Sequence, residues 1–157
     1  MTKPRLSAWL IALMFGIFAA YPAIAQEAAV TGVKAAIHVH VIKLRNNKGQ
    51  VGCSIWNSPK GFPKAGMAVK GEWAPIQDHQ ARCTFSGLPP GTYAVAILHD
   101  ENSNGKMDKS MLGIPKEGWG FSKDAPIGLR GPPSFQAASF PYKGGTLDLM
   151  VNAKYWP

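Results

Sequence analysis

The chain has 157 residues, 46% hydrophobic and 17% charged, with 17 Lys and Arg against 9 Asp and Glu. That is apolar material for one packed domain and too little chain for two of ordinary size. The basic residues are scattered, with no run and no stacking motif, so nucleic acid is excluded as a partner and the charge reads as a solvated surface or as a face for polyanions such as lipid headgroups or acidic glycans.

Residues 1–25 predict an export signal. Lys3 and Arg5 give a positive start, residues 10–20 are an apolar run, and Ala23-Ile24-Ala25 is a small-x-small cleavage site that leaves Gln26 as the new N-terminus. A permanent membrane anchor needs about 20 apolar residues, and this run is shorter. The expected location is periplasmic or secreted, with membrane contact only through the transient signal, and the expected domain is 26–157.

After the signal the pattern has period two. Ile37, Val39 and Val41 alternate with His38, His40 and Ile42, which predicts a half-buried strand ending at the turn Asn46-Asn47-Lys48-Gly49; Val51, Cys53 and Ile55 continue as its hairpin partner. A Pro/Gly loop over 58–66 precedes an extended stretch around 67–76, a turn at 77–80 and a short strand at 81–85. Leu88-Pro89-Pro90-Gly91-Thr92-Tyr93 is a corner whose tyrosine can hydrogen-bond back across it, as in immunoglobulin-like sandwiches. The strand that follows alternates Tyr93, Val95 and Ile97 with Ala94, Ala96 and Leu98, and the last strand runs over about 146–154. Short strands, turn signals and no amphipathic helix predict a two-sheet all-β sandwich of about seven strands.

Cys53 and Cys83 are the only cysteines, and in an exported chain one pairing is available, a disulfide closing a loop of about 30 residues. Two buried free thiols are the alternative.

Residues 99–108 carry the most chemical information. Asp100, Asn102, Asn104, Gly105 and Asp108 have the D-x-N-x-N-G-x-x-D spacing of a calcium loop, in which alternate oxygen-bearing side chains and one sharply turning glycine surround a cation. The Lys106 carbonyl and Glu117 are further oxygen donors, because the twelfth position, where a bidentate glutamate normally sits, is Met111. An Asx-rich turn without metal uses the same residue types. His99 beside Asp100 is expected to brace this loop. His38 and His40 share a strand face and with His99 make a copper or zinc set, against the plainer reading of exposed histidines on an edge strand.

Residues 109–143 read as a long irregular segment rich in Gly, Pro and aromatics. Trp119, Phe121 and Phe135 either stack on a sugar or peptide or pack down as a satellite core. No G-x-S-x-G, H-E-x-x-H or phosphate-binding glycine loop is present. Asp100, Asp108 and Glu117 as a glycoside-hydrolase carboxylate pair is a third-ranked reading.

Several segments together resemble a known family: N-N-K-G-Q-V from Asn46, S-P-K-G-F-P from Ser58, L-P-P-G-T-Y-A-V-A-I-L-H-D-E-N-S-N-G-K-M-D from Leu88, L-G-I-P-K-E-G-W-G-F-S from Leu112, and G-P-P-S-F from Gly131. In this order they are similar to the bacterial exported family termed domain of unknown function 2141. The resemblance implies a small immunoglobulin-like or transthyretin-like β-sandwich in the cell envelope and implies no activity. The expected function is an exported, non-enzymatic module with a calcium-stabilised loop and an unknown envelope partner, glycan or protein. The alternative is a carbohydrate- or peptidoglycan-associated protein that uses the aromatic loop.

Overall fold

The computed structural model describes residues 35–128 and 131–157. The expected signal and its cleavage site lie outside the described residues. No helix among them is long and apolar enough to cross a membrane.

Eight strands form the described domain: β1 Ala36–Ile42, β2 Gln50–Trp56, β3 Lys70–Pro75, β4 Ala81–Ser86, β5 Gly91–Asp100, β6 Gly118–Phe121, β7 Phe140–Tyr142 and β8 Thr146–Asn152, with one short helix, α1 Phe135–Ala138, between β6 and β7. The smaller sheet has the order β4-β1-β8, with β1 antiparallel to β4 and parallel to β8. The larger has the order β3-β2-β5-β6. Its longest strand, β5, pairs with β7 through Gly91–Tyr93 and with β6 through Ala96, Ile97, Leu98 and His99.

The alternation read from the sequence sets which face is buried. Ile37, Val39 and Val41 of β1 pack against Val51, Cys53 and Ile55 of β2, Val95 and Ile97 of β5, Phe85 of β4 and Val151 of β8 in one core between the sheets. Cys53 and Cys83 are bonded, with Cα atoms 6.4 Å apart, and tie β2 of the larger sheet to β4 of the smaller. The tyrosine corner forms as expected: the Tyr93 hydroxyl donates to the Pro89 carbonyl at 2.8 Å.

Residues 109–143 are more ordered than the sequence reading of one long irregular segment. Gly118-Trp119-Gly120-Phe121 is a strand, β6, whose small-large alternation turns both aromatic rings to the face of the larger sheet away from the disulfide. The glycines that made this strand read as irregular are what the inner face requires. A Cβ at Gly120 would stand 2.7 Å from the Asn152 carbonyl oxygen, so only hydrogen fits there. Phe121 and Phe135 then close on Trp56, Ala94 and Ala138, and Phe62 meets Trp56 edge-on at 5.1 Å and Phe135 at 5.9 Å. Ser122 locks the layer: it accepts from the Val95 amide at 2.9 Å and donates to the Ala138 carbonyl at 2.6 Å.

Candidate functional site

Strand β5 delivers the chain into the acidic loop, and the last residue of that strand organises it. Asp100 is fully buried. One carboxylate oxygen accepts from the Asn104 amide at 3.0 Å, and the other accepts from the Gly105 amide at 2.8 Å and the Gln50 side chain at 3.2 Å. The loop is thus wound around its first carboxylate. Gly105 has φ +79°, the left-handed conformation that lets the chain turn there without strain.

Asn102 and Asn104 both reach Asp108, at 2.7 and 3.1 Å, and their own side-chain oxygens accept from the amides of Asn104 and Lys106. Met111, at the twelfth position, is fully exposed at 104% and turned to solvent. Glu117 comes back to the loop from the start of β6. It is buried, and its two oxygens accept from the amides of Glu101 and Asp108, each at 2.9 Å. Asp100, Asn102, Asn104, Lys106, Asp108 and Glu117 therefore belong to one loop and its closing carboxylate.

As donors these groups suit a hard cation. An ionised carboxylate has about four lone-pair sites, so Glu117, with two of them taken by N–H donors, retains acceptor capacity, while Asp100, which the Asn104, Gly105 and Ser103 amides and the Gln50 side chain all approach, would have to exchange a bond for an ion. Asparagine oxygens and a backbone carbonyl are ordinary calcium ligands. Among the described residues no three His, Cys, Asp or Glu side chains converge as a metal-holding group. A cation here would have to recruit the asparagine and Lys106 oxygens.

Behind the loop lies a network that the sequence reading did not identify. Glu101 accepts from Arg45 at 2.7 Å and Asn46 at 3.0 Å, and Arg45 also donates to the Lys116 carbonyl at 2.9 Å and stands 4.7 Å over the Tyr155 ring. His99 is fully buried and braces this network, not the acidic loop. Its Nδ1 is 2.6 Å from the Tyr155 hydroxyl and its Nε2 is 2.9 Å from the Lys48 carbonyl. A carbonyl only accepts, so a ring protonated at Nε2, with Tyr155 donating to Nδ1 and accepting from the Arg45 amide at 3.0 Å, satisfies every bond. Burial and the nearby Glu101 charge, opposed by the Arg45 amide, raise the Tyr155 pKa and keep that hydroxyl a donor. Gly49 permits the close approach of the β1–β2 turn, since at φ +70° a Cβ there would collide with the Asp100 carbonyl.

With His99 held in the other sheet, the copper or zinc set His38, His40 and His99 does not assemble. His38 bonds Thr84 at 3.0 Å and His40 bonds Asp148 at 2.7 Å, both on the outer face of the smaller sheet. Trp119, Phe121 and Phe135 are all buried, so the satellite-core arrangement is the observed one, with Trp119 and Phe121 also lining a surface groove.

Residues 39–149 match the model of the family described as "Uncharacterized protein conserved in bacteria (DUF2141)". The chain belongs to this family. No curated protein and no solved structure matches it. The DUF2141 span takes in the acidic loop, Glu117 and the aromatic layer, and Tyr155 and Trp156 lie beyond it.

The loop carboxylates make stability acid-sensitive. Burial raises the Asp100 pKa, but the bonds from Gly105, Gln50, Asn104 and Ser103 outweigh it and the net value is lowered. Glu101 is likewise pushed up by burial and brought below its usual value by Asn46 and Arg45. A folded pKa below the unfolded one contributes stability that is present above the unfolded carboxylate range, about 3.9–4.3, and is lost as pH falls through the folded value. In EDTA, Tm is therefore expected to fall between about pH 4.5 and pH 2. The fall should be shallower in Asp100→Asn; equal slopes would show that Asp100 gains nothing from its bonds.

Proposed function

We propose that this protein is an exported, non-enzymatic β-sandwich module whose 100–108 loop binds calcium, and that the ion fixes the loop as part of an interaction surface. The observation that carries the reading is the convergence of two buried carboxylates, Asp100 and Glu117, on a loop whose remaining side chains are oxygen donors at calcium spacing. The buried Cys53–Cys83 bridge supports export, because such bonds persist in oxidising compartments and are rare in the cytosol. A metal-free Asx-rich turn is favoured by a different observation: Asp100, Asp108 and Glu117 all accept protein N–H donors already.

Thermal unfolding of the oxidised protein in EDTA and in calcium separates the two. With few formal charges the affinity should be that of extracellular modules, about 10⁻⁴–10⁻³ M. At 1 mM calcium and a Kd of about 10⁻⁴ M, linkage adds about 1.4 kcal/mol. For a domain of this size that is a rise in Tm of roughly 4–7 °C. The rise should vanish in Asp100→Ala. No rise in the wild type, with magnesium also silent, would leave the Asx turn as the correct description.

A further inference from the structure

We infer that the outer face of the larger sheet is a binding site for an acidic oligosaccharide, with the Trp73 indole as its stacking platform. This face carries a groove of about 920 Å³ that runs between edge strands β3 and β6. The register sets its floor: Gly52 pairs with Trp73 and Leu98, and Leu98 pairs with Trp119, so these four form one row across the sheet. The next row is Gly71, Ser54, Ala96 and Phe121. Three of the four mid-sheet residues, Gly52, Ser54 and Ala96, are small and three of the four edge residues, Trp73, Trp119 and Phe121, are aromatic, which makes a trough and not a flat face.

Trp73 lies on Gly52. A Cβ at position 52 would stand 2.6–3.0 Å from three atoms of the six-membered ring, so the glycine is what lets the indole lie against the sheet. Trp73 as a residue is nonetheless 46% exposed, and Trp156, which lines the same groove, is 53% exposed. An aromatic plane backed by the sheet and open to solvent fits the C–H face of a pyranose ring, whose hydroxyl rim needs polar partners at the sides. Trp56 also lines the groove, and its buried indole N–H has no acceptor among the described residues.

Charge sets the class of sugar. The charged residues of the groove are Glu72, Lys106 and Lys109. Glu72 is engaged by the Thr84 amide at 2.7 Å. Glu72 keeps its negative charge there, and Lys106 and Lys109 make no side-chain hydrogen bond or ion pair among the described residues, so the rim carries two unpaired positive charges against one carboxylate. A carboxylate-bearing sugar matches this rim and the basic balance of the whole chain. Both lysines belong to the acidic loop or its end, so the lysine wall rests on the loop reading above, and the Trp73 platform on β3 does not.

The test is tryptophan fluorescence or calorimetric titration of the purified, oxidised protein with tetragalacturonic acid and with cellotetraose, in calcium and in EDTA. Saturable binding of the acidic tetrasaccharide is expected, at least tenfold weaker in Trp73→Ala and several-fold weaker in Lys106→Gln/Lys109→Gln and at high salt. Trp73→Ala removes an exposed ring, and an unchanged Tm will confirm that it folds. Absence of binding, binding that survives Trp73→Ala, or capture of anionic lipid vesicles in place of the sugar would overturn the site. Equal binding of cellotetraose would overturn its acidic specificity. Sugar binding with no response of Tm to calcium would sink the calcium reading and leave this one standing; a calcium response without sugar binding does the reverse.

Discussion

Replacing the bridge by Cys53→Ala/Cys83→Ala is expected to lower the stability of the domain by about 3–4 kcal/mol, the largest loss available from so small a change of side-chain volume. The bond joins positions separated by 30 residues. On the chain-entropy account it stabilises by restricting the unfolded chain, and a loop of that length is worth about 3.6 kcal/mol at 25 °C. Its position adds to this: both sulfurs sit in the core between the sheets, so the alanines leave unfilled volume where water cannot compensate. Against a total of about 5–15 kcal/mol for a domain of this kind, the reduced protein should be marginal. Urea unfolding with and without a reductant measures the difference directly. A loss under about 1 kcal/mol would mean that the unfolded chain is already compact enough for the cross-link to restrict little.

The parts of this fold that were legible in the sequence are those in which local pattern and tertiary role coincide. β1, β2 and β5 alternate because one face of each is the core, and the tyrosine corner is written in consecutive residues. The acidic loop was legible for the same reason: Asp100 and Gly105 act on each other within six residues. What escaped needed register. β6 reads as part of a long irregular segment until its partner β5 is known, and the smallness of Gly52 has no meaning until β3 lays Trp73 over it. Glu101 is an unremarked spacer in the loop motif, yet it joins the loop to Arg45 across 56 residues of chain. His99 was misassigned because adjacency to Asp100 in sequence says nothing about direction. Successive residues of a strand point to opposite faces, so Asp100 turns toward the loop while His99 turns inward to Tyr155.

Glu117 should rank with Asp100 among the most sensitive residues of the loop, and its variants separate support from ligation. In Glu117→Ala the amides of Glu101 and Asp108 lose their acceptors in a partly buried setting. At about 1–3 kcal/mol for each unsatisfied donor, the expected cost is roughly 2–5 kcal/mol, reduced where water enters the space. In Glu117→Gln one oxygen still accepts, while the amide NH₂ is set against the other backbone N–H, so a loss of about 1–3 kcal/mol is expected. Both losses are read in EDTA, where only the hydrogen bonds count. The calcium increment is a separate quantity, the difference in Tm of the same variant with and without the ion. If Glu117 is a ligand, Glu117→Gln should lose that increment as well as the EDTA stability, because an amide supplies one neutral oxygen where a carboxylate supplies two charged ones. If the increment persists in Glu117→Gln but is absent in Asp100→Ala, the ion sits within residues 100–108 and Glu117 acts only as the buried brace that closes the loop onto β6.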